Sequence, residues 1–339
     1  MIRALKFLLT KQLNRSKRIK QVDGFTLIEL LVGMIMAFLI ITPLLGFMIN
    51  ILDTDRKEQA KANSEQEIQA ALDYIARDLQ QAIYIYDATG IGCLTGTADT
   101  NTCPNASTNQ LPSPTATDRV PVLVFWKREL VSKAITITGT QKDDTFVYSL
   151  VAYYLIKDTS TTWSNAARIA RWQIRDGVAD PSSTATCGKY ITGHCPDPGF
   201  ALFKLDGAGT ITQKMNAWTK ATASYTADTT VLVDFIDQTK NDDVPAALPV
   251  TCPPNPPSPV LPIWAQVPQE ITSFNTRATG KMTSFSACID KANTTAQVFL
   301  RGNALARLQN DNLNYKDSSK TYFPNANIRV QGRGYLFTK

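Results

Sequence analysis

The sequence holds few residues that could carry out catalysis or bind zinc. Its one histidine, His194, lies in the stretch CGKYITGHC, between Cys187 and Cys195. A zinc site would need further ligands nearby, so a disulfide loop is the favoured interpretation. No P-loop, G-x-S-x-G or H-E-x-x-H motif occurs. We therefore predict that the protein is not an enzyme, with no catalytic residues, no metal and no cofactor.

Two groups of acids are candidates for calcium binding, since carboxylate oxygens are the ligands that calcium prefers. One is the pair Asp143 and Asp144, and the other comprises Asp237, Asp242 and Asp243. Acids of surface loops are usually solvated. Solvated loop acids are therefore the favoured interpretation of both groups, with calcium as the alternative.

The cysteines could form disulfides. There are six, none in a C-x-x-C motif: Cys93, Cys103, Cys187, Cys195, Cys252 and Cys288. An even number, all beyond an apolar N-terminal segment, indicates an oxidising compartment. Six cysteines allow 15 connectivities. We favour sequential pairing (93–103, 187–195, 252–288), because each pair brackets a loop-like stretch.

One acid, Glu29, interrupts an otherwise uncharged apolar segment that covers residues 25–52. These 28 residues can span a bilayer as a helix, which needs about 20. The segment is too long for a signal-peptide core, and no A-x-A pattern follows it. Pro43 and Gly46 are expected to weaken, kink or break the helix. An acid inside a membrane costs roughly 2.5–3.5 kcal/mol and needs a partner.

The positive charge is concentrated before this segment. Residues 1–24 contain seven cations and one acid, whereas residues 25–339 contain 28 of each sign. The formal net charge of +6 therefore belongs to the N-terminal leader. Such a leader marks the cytoplasmic side of a membrane segment. We expect no nucleic-acid binding, because no excess of positive charge remains elsewhere.

The elements that follow indicate an α+β fold. Residues 53–86 contain no Pro or Gly, and their apolar side chains recur at helical spacing at Ile68, Leu72, Ile75, Leu79, Ile83 and Tyr86. We predict one long N-terminal helix whose amphipathic second half packs on an antiparallel sheet. Most charged residues, Asp78 among them, are expected on its other faces. Residues 87–339 form the β-rich domain, with a loop at 87–119 and a proline-rich insertion at 244–262. The predicted strands are 120–126, 145–156, 168–175, 200–205, 231–236 and 297–301, with the second and third neighbouring and antiparallel.

The sequence Gly24-Phe25-Thr26-Leu27-Ile28-Glu29, after a basic leader, resembles the N-terminal motif of type IV pilins and pseudopilins. The resemblance implies that prepilin peptidase cuts between Gly24 and Phe25 and methylates Phe25. Glu29 would then pair with the new N-terminus of a neighbouring subunit. The stretch ALDYIARDLQQAIY resembles large minor pilins and J-type pseudopilins. ITPLLGFMINILDTDRKEQAK and RVPVLVFWKREL resemble pseudopilins of hormogonium polysaccharide secretion in cyanobacteria.

The resemblance also implies a fold, a location and partners. The fold would be pilin-like, with disulfide-pinned loops. The protein would cross the inner membrane once, with a cytoplasmic N-terminus and a periplasmic C-terminal domain, and enter a filament of the cell envelope. Its partners would be prepilin peptidase, other pilins or pseudopilins, the inner-membrane assembly platform and the exported polysaccharide. The function would be support of polysaccharide secretion and gliding motility. The alternatives are a type IV pilus minor pilin for motility or DNA uptake and a membrane-anchored polysaccharide-binding module that does not polymerise.

Given this context, the five tryptophans are candidates for stacking on sugars. Trp126 and Trp172 lie in strand-like runs and are expected in the core. Trp163, in TSTTWSNAA, and Trp264, after the proline-rich insertion, are the better surface candidates.

Overall fold

The computed structural model describes residues 24–96, 103, 109–112, 118–184, 187–246, 248–256, 263–268 and 282–334. The predicted leader, except Gly24, and part of the proline-rich insertion lie outside these residues. The chain divides into two compact units, Met1–Arg56 and Lys57–Lys339. We call the second one the soluble unit.

The first element is a helix, α1, that covers Leu27–Gln80 without interruption. Its 54 residues correspond to about 80 Å. The helix continues through Pro43 and Gly46 without a break, and the expected weakening or kink at these residues stays a prediction. Proline removes only the hydrogen bond of its own nitrogen, and neighbouring hydroxyl groups help to satisfy backbone groups in such helices. Just before Pro43, the Thr42 hydroxyl donates to the carbonyl of Phe38 at 2.8 Å; the carbonyl that loses its helical donor to Pro43 is that of Leu39.

The helix ends six residues earlier than the predicted boundary at residue 86. Ala82–Ile85 forms strand β1, separated from α1 by Gln81 alone. The run Ile83-Tyr84-Ile85-Tyr86 is β-branched and aromatic, and such residues favour strands. Ile83 and Tyr86 continue the helical spacing by coincidence, and the pairing of β1 with the next strand decides their conformation.

The first sheet has five antiparallel strands in the order β1-β2-β3-β4-β5. The strands after β1 are β2 (Arg119–Thr138), β3 (Gln141–Ile156), β4 (Ala167–Arg175) and β5 (Thr230–Ile236). The predicted antiparallel pairing of 145–156 with 168–175 is confirmed. Residues 200–205 form no strand, contrary to the prediction.

A second antiparallel sheet has the order β6-β7-β8-β9. Its strands are β6 (Trp264–Val267), β7 (Phe285–Asp290), β8 (Thr295–Arg301) and β9 (Asn325–Gln331). Only β8 corresponds to a predicted strand. The described residues thus contain two sheets, whereas the sequence indicated one.

Short helices complete the soluble unit. They are α2 (Ala88–Thr95), α3 (Ile211–Asn216) and two 3-10 helices, Ala304–Arg307 and Asp317–Tyr322. The first of them lies in the stretch predicted as a loop. The carboxylate of Asp87 caps α2 by accepting from the Gly90 amide at 2.9 Å, and Gly96 ends the helix with a positive φ of 69°. A capped segment as short as this has too few turns to show a clear period in the sequence.

The main core is a continuous cluster that includes apolar residues of α1 and of every strand, and two small clusters lie apart from it. The predicted stripe residues Ile68, Leu72, Ile75 and Leu79 are buried in it. Gly302 follows β8, where the backbone comes so close to α1 that a Cβ atom would lie 2.4 Å from Cδ1 of Ile68. Glycine at this position therefore lets the second sheet approach the helix.

Candidate functional site

The segment around the predicted cleavage site begins α1. Thr26 precedes the first helical residue, and its hydroxyl oxygen accepts from the backbone amide of Glu29 at 3.3 Å. This is the geometry of a helix N-cap, with Glu29 in the first turn, where a negative charge is favourable. Gly24 and Phe25 lie before the helix. The peptide bond between them is thus outside regular structure, and a Cβ atom on Gly24 would meet no atom within 4 Å.

No part of the chain that the structure describes covers the apolar half of α1. Every residue from Gly24 to Gln59 is exposed, and Phe25 and Leu27 have exposures of 81% and 86%. Among the described residues, α1 is the one helix long and apolar enough to cross a membrane. Glu29 is the only charged residue between Phe25 and Leu52.

A buried charge network at the end of α1 holds the helix on the first sheet. The carboxylate of Asp78 accepts from Lys127 Nζ at 2.8 Å, Arg171 Nε at 2.7 Å and the hydroxyl of Tyr153 at 2.7 Å. The three partners belong to β2, β4 and β3. Asp78 was expected on a face of the helix away from the apolar stripe; it is nevertheless buried, with an exposure of 7%.

The electrostatics of this network follow from its burial. Burial alone would raise the pKa of the Asp78 carboxyl, but the hydrogen bond and charge of Arg171 and the charge of Lys127 outweigh it. The pKa of Asp78 is therefore lowered. Burial of Arg171 is likewise outweighed by its bond to Asp78, so its pKa is raised. Asp78 and Arg171 are therefore both ionised at neutral pH, and the network is structural.

The cysteines form three disulfides: Cys93–Cys103, Cys187–Cys195 and Cys252–Cys288. This is the sequential pairing favoured from the sequence. The third disulfide fixes the proline-rich segment to strand β7, and the other two close short loops. His194 precedes Cys195 in its loop, where its carbonyl oxygen accepts from the Val178 amide at 2.8 Å.

The acids considered for calcium have structural partners. Asp237 is fully buried and binds Arg301 Nε at 2.7 Å, and Asp243 accepts from the Lys240 amide at 2.8 Å. At the start of β3, Asp144 accepts from the Lys133 amide at 2.8 Å. Within the described ranges, no three His, Cys, Asp or Glu residues form a group that could hold a metal ion.

The tryptophans divide into buried and exposed residues. Trp126, Trp172 and Trp218 are buried, and each donates its indole N–H to a protein oxygen. Trp264 is buried beneath the guanidinium of Arg329, 4.7 Å from the ring centre, so the expectation of an exposed ring was wrong. Trp163 is 41% exposed, as predicted.

Comparison with known proteins assigns no family to this architecture. No family model matches the sequence, and no curated protein and no solved structure matches the chain.

Proposed function

We propose that this chain is the precursor of a minor pilin or pseudopilin, a subunit of a filament related to type IV pili or type II secretion systems. The observation that carries the proposal is the exposed apolar half of α1 with a single acid, Glu29, in its first turn. An uncovered apolar surface of this size requires a membrane or neighbouring helices around it. The processing motif directly before this surface supports the same function.

In this proposal Glu29 has two successive roles. Before processing it lies in the capped first turn of α1. Cleavage between Gly24 and Phe25 then creates a positively charged amine, which Phe25 carries as the first residue of the mature chain. The amine of one subunit pairs with Glu29 of the next, because a buried carboxylate in an apolar environment is stable only with a partner. This pair sets the axial register between neighbouring subunits.

The same proposal covers location, partners and biological role. The basic leader stays in the cytoplasm, α1 crosses the inner membrane, and the soluble unit, with its three disulfides, lies in the oxidising periplasm. Prepilin peptidase, other pilins or pseudopilins and the assembly platform are the partners. The filament supports polysaccharide secretion and gliding, and the chain acts by assembly and not by catalysis. Its pilin-like fold with a large soluble unit suits a low-copy subunit.

Mass spectrometry of the mature N-terminus tests the processing step. The expected chain begins with N-methylated Phe25. An intact leader on the functional protein would contradict the proposal and favour a membrane-anchored binding module that does not polymerise.

Substitution of Glu29 tests the assembly step. The variant Glu29→Ala should be processed normally but should not co-purify with crosslinked filament subunits, because the new amine then has no carboxylate to pair with. Thr26→Ala is the matched control, since it removes the cap of α1 and leaves the acid in place. Normal incorporation of Glu29→Ala would refute the pairing.

A further inference from the structure

A groove lined by two exposed aromatic residues lies entirely within the soluble unit. It has a volume of about 790 Å³ and runs between the second half of α1, the β3–β4 loop and strand β5. Tyr74 and Trp163 line it, with exposures of 40% and 41%. In the described part of the soluble unit, Phe146 is the only other large aromatic residue with comparable exposure. Two of three exposed aromatic rings therefore share one groove.

Trp163 differs from the other four tryptophans in its exposure, because their side chains are buried. The buried residues Trp126, Trp172 and Trp218 each have a protein acceptor for the indole N–H. Trp163, by contrast, is 41% exposed and lines the groove. Exposing a large apolar ring has a cost in free energy, so its presence in a groove indicates a binding role.

The loop that carries Trp163 is fixed on both sides. The hydroxyl of Ser160 accepts from the amides of Thr162 and Trp163 at 3.2 and 3.3 Å. On the other side, Asp234 accepts from the amide and the hydroxyl of Ser164 at 2.9 and 2.7 Å. These bonds hold the backbone of Trp163 before any ligand arrives. Such preorganisation reduces the entropy lost on binding.

Backbone strain occurs at the same groove. Phe235 has a positive φ of 57°, a conformation that is rare for a bulky side chain. Its ring is covered by the guanidinium of Arg307 at 4.1 Å, and Arg307 also forms an ion pair with Glu67. Strained residues persist where the surrounding structure enforces them, and they cluster at ligand sites.

We propose that this groove binds pyranose units of a neutral polysaccharide. The C–H face of a pyranose ring is weakly positive and packs on the negative face of an aromatic ring, which Trp163 and Tyr74 supply. Sugar hydroxyl groups both donate and accept, and the rim offers both kinds of group. Arg77 is exposed and has terminal nitrogens to donate, and the exposed carboxylate of Glu67 can accept.

The charges around the groove favour a neutral ligand. Glu67 and Asp234 are acidic, and Arg77 and the nearby Arg307 are basic, so the rim has no excess of positive charge for a polyanion. The inference deepens the proposed function, because it places a saccharide contact on the proposed filament subunit. It does not require assembly, so the two proposals can fail separately.

The test is fluorescence quenching of the full-length chain in a detergent without a sugar head group. Acrylamide quenches mainly Trp163, since the other four indoles are buried. The probes are cellohexaose, laminarihexaose, maltohexaose and the corresponding mannan and galactan hexamers. At least one of them should protect Trp163 from acrylamide, and titration gives its affinity.

Substitutions of exposed aromatic residues test whether the saccharide binds in the groove. With a glycan-binding assay independent of fluorescence, such as calorimetry, Trp163→Ala should weaken affinity at least about tenfold, whereas Trp163→Phe should keep most of it. Phe146→Ala is the matched control, because Phe146 is exposed but lies outside the groove, and its affinity should be unchanged. The proposal is overturned if no hexamer binds, if Trp163→Ala binds like the wild type, or if Trp163→Ala alters only self-association in sedimentation. A Trp163→Ala chain that is processed and assembled but does not bind would support both proposals.

Discussion

Substitution of Asp78 should destabilise the soluble unit strongly. Asp78 and Lys127 each have 7% of their side-chain surface exposed, and Arg171 has 16%. Asp78→Ala removes the shared anion and leaves two cations buried without it, together with the hydroxyl of Tyr153. Breaking a buried ion pair by removing one partner costs about 3–5 kcal/mol. For a domain of this size, that corresponds to a decrease of roughly 6–20 °C in the unfolding midpoint.

The assay is thermal unfolding of the full-length chain in detergent, followed by near-ultraviolet circular dichroism. Glu58→Ala is the matched control, because Glu58 also lies on α1 and forms an ion pair, with Lys61, but is 65% exposed. Its midpoint should remain that of the wild type, since exposed pairs contribute little. A midpoint for Asp78→Ala within 2 °C of the wild type would show that the network does not hold the helix on the sheet.

The pH dependence of the network has a defined sign. The pKa of Asp78 is lowered in the folded chain, and its unfolded value is about 3.9. Its stabilisation is therefore fully present above about pH 4 and is lost as the pH falls through the lower folded value. In Asp78→Asn this contribution is absent, so the variant should lose less stability than the wild type between about pH 4 and pH 2. An equal loss in both chains would contradict the assignment.

Two further predictions concern the covalent and steric links in the soluble unit. Replacing both Cys252 and Cys288 with alanine should lower the free energy of unfolding by about 4 kcal/mol, and replacing both Cys187 and Cys195 should lower it by about 2.5 kcal/mol. The first loss is larger because that disulfide joins residues 36 positions apart, whereas the second joins residues 8 positions apart. Equal urea midpoints for the two double variants would contradict this order. Gly332→Ala should destabilise by about 1–3 kcal/mol, because its Cβ atom would lie 2.5 Å from the backbone oxygen of Ala82. Gly46→Ala, where a Cβ atom meets nothing within 4 Å, should leave the unfolding of the soluble unit unchanged.

Local periodicity predicted the helix face well but not the helix end. The stripe from Ile68 to Leu79 is buried as its spacing indicated. The next apolar residues, Ile83 and Tyr86, keep that spacing but lie in and just after a strand. A short apolar run is compatible with either structure, and here pairing with residues 125–127 of β2 decides between them.

The other differences between the sequence predictions and the structure arise from contacts between residues that are far apart in the sequence. Nothing in the sequence indicated that Asp78 is buried, because its partners are 49 to 93 residues away along the chain. Strand β6 has only four residues, and β9 contains asparagines, which are rare in strands. The sequence pattern of the second sheet was therefore too weak to predict most of its strands. Trp163 and Trp264 both follow polar or proline-rich stretches, and only tertiary packing distinguishes the exposed ring from the buried one.

The single-residue connection between α1 and β1 has a mechanical consequence. Gln81 can extend by at most about 3.5 Å, so the helix end and the strand cannot separate further without unfolding. Strand β1 is bonded on one edge to β2 and on the other to the chain after β9, where the Gly334 amide donates to Ala82 at 3.2 Å. Tension that enters along β1 loads the bonds of its ladder together, because they run perpendicular to the strand. Any pull on α1 that passes through Gln81 along β1 is therefore shared as shear by several bonds, in addition to the load that the buried face and the Asp78 network of α1 carry.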